Sequence, residues 1–309
     1  MPPPAITAGT VVTDPVTRNA SRVTSGMRIA VASGKGGTGK TTVAVSLALS
    51  LAETREVQFL DCDVEEPNAH IFLSPRIRGS RPVEIPVPEI DLDSCTRCGA
   101  CARACRYGAL AVIGERVLFH PELCHGCGLC TMVCPVGAIR EVPREIGRVA
   151  WGEAGRIRFL RGVLAVGEPM ATPVIRVLVR EMEPGVLTVL DAPPGTACPV
   201  IETLKGADFA LLVTEPTPFG LHDLSLAVQV ARALRLPMGA VINRDGIGDD
   251  SVERFLRDEG IPVLLRIPMD RRIAAAYAEG IPLVEAFPEW RERFLEMMKK
   301  ITSFLGGKR

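Results

Sequence analysis

The sequence predicts a doubly wound, mostly parallel α/β sheet interrupted by a small cysteine-rich module, and three observations carry that expectation. Short apolar runs alternate with helix-length segments over most of the 309 residues, the pattern of parallel strands joined by crossover helices. The first run leads straight into a glycine-rich loop. Eight of the ten cysteines fall between Cys95 and Cys134, where the alternation stops.

Taken in order, residues 1–26 are rich in Pro, Thr and Ser and read as a weakly ordered leader. Residues 28–33 (RIAVAS) form a buried strand feeding the loop, and 41–52 continue at helical spacing. Residues 56–60 make a second strand ending in Asp61-Cys62-Asp63. Between 81 and 90 proline alternates with apolar residues, which reads as a linker into the cysteine module, and 141–148 leads out of it. Strands resume at 186–190, 209–214, 239–242 and 263–267, with helices at 221–234 and 250–259 among the separators. The expected organisation is a discontinuous α/β domain, residues 27–84 and 146–309, with an insert at 85–145. The insert leaves the sheet after its second strand and returns before its third or fourth.

Composition narrows the function classes. At 47% hydrophobic residues the chain can bury a sizeable core. A net charge of zero gives no reason to expect nucleic acid or an acidic substrate. No apolar run approaches the roughly 18 residues that a membrane span needs. A disulfide scaffold would require a secretory signal, and the N-terminus has no apolar core of that kind. Thiolate ligation in a reducing cytoplasm is the expectation instead.

The loop Gly34-Lys35-Gly36-Gly37-Thr38-Gly39-Lys40-Thr41 fits G-x-x-x-x-G-K-[ST]. Glycines let successive N–H groups turn inward around phosphate oxygens, and the following helix N-terminus adds positive potential. Lys40 supplies a compact charge to the β- and γ-phosphates, and the Thr41 hydroxyl can complete a Mg²⁺ shell. Lys35 is a second lysine in a chain with only six, two of them in this loop.

With that extra lysine, Gly34 to Thr42 resembles the deviant Walker A signature of the MinD/ParA/Mrp superfamily, to which the nitrogenase iron protein also belongs. The resemblance implies an ATP-sandwich homodimer in which Lys35 contacts ATP held by the other subunit. It also implies that Asp63 orients the attacking water, with Asp61 near the metal. Asp191-Ala192-Pro193-Pro194-Gly195 is similar to the Mrp-type D-x-P-P-G switch, where Asp191 holds Mg²⁺ through water. Asn243, and Pro268 within Ile267-Pro268-Met269-Asp270, stand where the superfamily places its adenine contacts.

The cysteines form two copies of C-x2-C-x2-C-x3-C: Cys95, Cys98, Cys101, Cys105, and then Cys124, Cys127, Cys130, Cys134. Each second-copy number is the first plus 29, and Gly99/Gly128, Gly108/Gly137 and Ala109/Ala138 keep the same offset. The spacing resembles that of bacterial ferredoxins, which carry two [4Fe–4S] clusters. In that pattern the fourth cysteine of each run serves the other cluster. This assigns Cys95, Cys98, Cys101 and Cys134 to one cluster, and Cys124, Cys127, Cys130 and Cys105 to the second. Pro135 follows the last cysteine as the pattern asks, whereas Arg106 stands at the equivalent place in the first run. Zinc sites use paired C-x2-C knuckles, not four-cysteine runs of this rhythm. Together, loop and insert are similar to the P-loop ATPases with an inserted ferredoxin domain.

Weaker signals remain. Cys198 lies seven residues after Asp191, the distance at which the nitrogenase iron protein places a cluster ligand, but a small core cysteine is the favoured reading. Residues 288–305 put Trp290, Phe294, Met298, Ile301 and Leu305 on one helical face. That face suits closure of the core better than the membrane binding known for MinD. His125 reads as a surface neighbour of the cysteines. The expected function is a cytoplasmic, homodimeric, Mg²⁺-dependent ATPase coupling nucleotide state to electron transfer with a protein partner. Iron–sulfur assembly or delivery, and MinD-like positioning with redox-sensing clusters, are the alternatives.

Overall fold

A computed structural model describes residues 26–306. All of the expected leader except Gly26 lies outside the described residues. The strands are β1 (Arg28–Ala32), β2 (Val57–Asp61), β3 (Arg76–Ile90), β4 (Leu110–Ile113), β5 (Arg116–Phe119), β6 (Ile139–Ala154), β7 (Ile157–Leu164), β8 (Leu187–Asp191), β9 (Phe209–Thr214), β10 (Met238–Asp245) and β11 (Val263–Pro268). The helices are α1 (Lys40–Ala52), α2 (Ala69–Leu73), α3 (Ala100–Ala104), α4 (Leu129–Met132), α5 (Thr172–Arg180), α6 (Cys198–Lys205), α7 (Pro218–Ala233), α8 (Ser251–Asp258), α9 (Arg271–Ala278), α10 (Leu283–Ala286) and α11 (Trp290–Gly306).

Among the described residues, nine strands form one sheet in the order β11-β10-β9-β1-β8-β2-β7-β6-β3. From β11 to β7 every neighbouring pair is parallel. β6 and β3 finish this end antiparallel. The central strands are apolar on both faces because both are covered. Ile29 and Val31 of β1 belong to the core under α1 and α11, and Ala30 and Ala32 to the core under α5 to α8. Every parallel strand ends at the same edge of the sheet, so the residues following β1, β2, β8, β9 and β10 gather there, as ligand-binding residues do in this class of sheet.

Residues 81–90 are not a linker. They are the outer part of β3, paired with β6 from Arg76↔Glu153 to Ile90↔Ile139. At about 3.3 Å per residue the two strands make a ribbon roughly 50 Å long. The inner part of β6 also pairs with β7, and the outer part, before Gly147, runs beyond it. Val83, Ile85 and Val87 alternate inward, while Pro82, Pro86 and Pro88 are tolerated because β3 is the edge strand. The stretch 141–148 is likewise strand. The segment 91–138 sits between the far ends of the ribbon. It holds α3, α4 and the β4–β5 hairpin around a small cluster of Cys101, Leu110 and Ile139.

α11 closes the core. Trp290, Phe294, Met297, Met298 and Ile301 are buried against the layer that includes α1 and β11. Among the described residues no helix is long and apolar enough to cross a membrane. Phe294 is fully buried, so Phe294→Ala is expected to lower the unfolding free energy by about 3–5 kcal/mol. A urea titration checks this, and a loss well below 1 kcal/mol would mean that α11 is not docked in solution.

Candidate nucleotide site and cysteine pockets

The loop between β1 and α1 is shaped by left-handed glycines. Gly37 and Gly39 have φ of 76° and 93°, values that other residues rarely adopt. Gly39 caps α1 with no side-chain hydrogen bond, so the first amides of the helix have no side-chain cap and can receive an anion. Asn243 supports the loop from β10. Its Nδ2 donates to the Thr38 carbonyl at 2.8 Å, and its Oδ1 accepts from the Arg244 amide at 2.9 Å. One amide hydrogen and one lone pair are left over for a base. Pro268 ends the neighbouring strand β11, opposite Asp245.

Lys40 is buried beneath the loop, with Nζ 3.4 Å from the Lys35 carbonyl. Burial pushes its ammonium below the usual range, against the pull of Asp191 and Asp63. Asp61 and Asp191 are direct register partners at the ends of β2 and β8, and both are buried. One Asp61 oxygen accepts from the Ala69 amide at 3.0 Å. Its other oxygen and both Asp191 oxygens have no hydrogen-bond partner. Burial raises Asp191 to about 7, tempered by the nearby Thr41 hydroxyl and Lys40. It raises Asp63 to about 6, tempered by Lys40. Asp61 is raised well above the usual carboxylate range, by burial first and then by the Asp191 charge. Buried carboxylate oxygens without partners, beside a threonine hydroxyl, suit a hydrated divalent cation.

Lys35 and its surroundings add residues that sequence spacing did not reveal. Its Nζ is 2.5 Å from Oε1 of Glu215, the residue after β9. Arg244 holds the other Glu215 oxygen at 2.8 Å and donates to the Gly37 carbonyl at 3.0 Å. Burial works against the Glu215 charge, but the two cations outweigh it and hold the carboxyl below its usual range. Glu215 thus tethers Lys35 within its own chain. Cys62 is fully buried, and burial pushes its thiol well up. Cys198 corrects an expectation: it is exposed at the start of α6, not a core residue.

The eight clustered cysteines line two pockets. One is lined by Cys95, Cys98, Cys101 and Cys134. The other is lined by Cys105, Cys124, Cys127 and Cys130, with Pro86 and Pro88 of the ribbon. Among the described residues no three His, Cys, Asp or Glu side chains converge closely enough to hold one metal ion. The cysteines border two small pockets instead. His125 is exposed and stacks on Tyr107 at the second pocket, 3.6 Å between ring centroids.

A glycine loop between strand and helix, with a buried lysine and strand-end aspartates, defines a P-loop nucleotide-binding protein. More narrowly, residues 29–283 match the CobQ/CobB/MinD/ParA nucleotide binding domain, and the chain belongs to that family. It is 31% identical over 283 residues to an uncharacterized protein of Methanocaldococcus jannaschii, covering 90% of this chain and 98% of that one. It is 27% identical over 307 residues to the iron-sulfur cluster carrier protein of Pyrococcus horikoshii, covering 91% and 89%. The cell division ATPase MinD of Pyrococcus furiosus shares the fold, with a TM-score of 0.56 and 21% identity over 90% of this chain and 99% of that one.

Two outcomes follow from the charges. The folded state binds protons at Asp61, Asp63 and Asp191 more tightly than the unfolded chain does. Without Mg²⁺ and nucleotide, their contribution to stability is therefore fully present below the ordinary carboxylate range and is lost as pH rises toward about 7, where Asp191 ionises in the folded state. Thermal unfolding across that range should show the slope, and Asp191→Asn should flatten it. Glu215 acts in the opposite sense, losing its contribution only below its ordinary range near 4.5. A double-mutant cycle of Glu215→Gln with Lys35→Ala is expected to give a coupling energy of about 0.5–3 kcal/mol in urea unfolding. Additive losses would mean that the tether does not form in solution.

Proposed function

We propose that this chain is a Mg²⁺-dependent ATPase carrying two [4Fe–4S] clusters, and that it couples nucleotide state to electron transfer with a protein partner. The clusters belong to an inserted ferredoxin module at residues 85–145, within an ATPase domain of 27–84 and 146–309. The observation that supports this most strongly is the sorting of the cysteines: each pocket takes three from one run and the fourth from the other. Four thiols spaced around a cavity suit a polynuclear cluster better than a single ion. Such clusters supply one-electron chemistry when bound.

The nucleotide residues take the roles their placement suggests. Gly34 to Thr42 wrap the phosphates, and Lys40 offsets their charge. Thr41 and Asp191, with Asp61 behind them, hold Mg²⁺, and Asp63 orients the attacking water. Asn243 and Pro268 flank the base. In a homodimer closed around ATP, Lys35 leaves Glu215 for the nucleotide of the other subunit. β2, which ends at Asp61, pairs with β7, and β7 pairs with the ribbon strand that leads to the module. This gives the nucleotide a mechanical route to the cysteines.

A second reading, delivery of clusters to an acceptor, is favoured by two observations. Cys98 and Cys127, one per pocket, are exposed, and the Pyrococcus horikoshii relative is named a cluster carrier.

Anaerobically purified protein is expected to contain about eight irons and eight acid-labile sulfides per chain. Zinc without sulfide would overturn the assignment. Lys40→Ala is expected to abolish ATP hydrolysis while keeping the iron. In an EPR-monitored redox titration, MgATP should shift the signal of the parent protein and leave that of Lys40→Ala unmoved. Iron lost to an apo-acceptor during turnover would favour delivery instead.

A further inference from the structure

The two cysteine runs are copies, yet they sit in opposite electrostatic surroundings. The glycine after the second cysteine of each run, Gly99 or Gly128, marks equivalent places. A Cβ built on Gly99 would lie 2.9 Å from Nη1 of Arg103; one built on Gly128 would lie 2.6 Å from Oε1 of Glu141. A guanidinium thus covers one loop and a carboxylate the other. Arg103 also donates to the Cys98 carbonyl at 2.9 Å, and Arg97, which lines the first pocket, donates to the Cys95 carbonyl at 3.2 Å.

The 29-residue offset shows that the difference is not shared. Gly126 and Met132 stand where Arg97 and Arg103 would be, and Val112, in the first pocket, is the counterpart of Glu141 in the second. Other charges near the pockets do not reverse this. Asp93 and Glu122 are equivalent positions. Asp91 accepts from the Ser94 hydroxyl at 2.6 Å and lines neither pocket. Arg106, like Arg103, is exposed and outside the pocket linings, but among the described residues it makes no hydrogen bond to a cysteine carbonyl as Arg103 does. Glu89 is paired with Arg140.

Reduction adds negative charge to a cluster, so a fixed cation beside it favours the reduced form and a fixed anion disfavours it. The geometry points to an ordered pair: Arg97 and Arg103 give the Cys95/Cys98/Cys101/Cys134 pocket the higher reduction potential, and Glu141 gives the Cys105/Cys124/Cys127/Cys130 pocket the lower. This rests on the two-cluster reading above. The second pocket is bordered by Pro86 and Pro88, and the first by Ile90 and Ile139 at the tip of the ribbon. Electrons supplied by an external one-electron donor therefore settle at the tip, away from the nucleotide sheet. Transfer from the second pocket to the first oxidises one cluster by one electron and reduces the other by one, with no bond made or broken.

The test is an EPR-monitored potentiometric titration of the reconstituted full chain, with iron and sulfide determined on each sample. Arg103→Met, which installs the residue of the other repeat, is expected to lower the higher midpoint potential and leave the lower one in place. Glu141→Gln is expected to raise the lower potential and leave the higher. Both changes narrow the gap, and both side chains are exposed, so folding is not at stake. A shift of the wrong potential in either variant, or no shift in either, would overturn the ordering while eight irons per chain upheld the clusters. A parent protein with clearly fewer than eight irons would overturn the two-cluster reading and the ordering with it.

Discussion

The antiparallel ladder between β3 and β6 is the constraint on which the arrangement of this chain depends. Its inner end is part of the nucleotide-binding sheet through β7, and its outer end holds residues 91–138. A single-stranded tether would let the cysteine segment turn about any of several backbone bonds, whereas two paired strands do not. Arg144 strengthens the base of the ribbon by gripping both oxygens of Glu168, in the loop before α5. The position of the pockets is therefore set by the sheet, and a displacement of β2 reaches the ribbon through one intervening strand.

The same sheet creates an electrostatic problem at its carboxyl edge. Parallel register brings Asp61 and Asp191 side by side, with Asp63 just beyond, and Lys40 is the buried cation that faces them. Burial makes each carboxylate reluctant to ionise, so without a metal the site holds protons to higher pH than ordinary carboxylates do, and a divalent cation would compete with them. Lys35, the other cation of the loop, is directed away from this group toward Glu215. The two lysines of one loop thus serve different carboxylates.

Much of this was legible in the sequence, for physical reasons. The central strands are continuous apolar runs because both their faces are covered, and the strands expected at 28–33, 209–214 and 263–267 match β1, β9 and β11 closely. The loop was legible because glycine and lysine at those spacings serve a single geometry. β3 was misread because Pro82, Pro86 and Pro88 look like breakers, and only its place at the edge makes them compatible with a strand. β6 and β7 were missed because their charged residues, among them Arg148, Glu153 and Arg158, mask the alternation. The Lys35–Glu215–Arg244 group joins residues far apart in the chain, and no local spacing carries such a contact. Cys198 was misjudged because a cysteine's exposure depends on which way its helix faces.

The prolines of β3 have a consequence for the molecule as a surface. A sheet with a long bare margin invites another chain to add a strand, and from there to stack without limit. Here the outermost strand carries three residues that have no amide hydrogen to offer, together with arginines and glutamates along its length. The element that carries the cysteines outward also stops the sheet from growing, so molecules can be crowded together without β-pairing along this side.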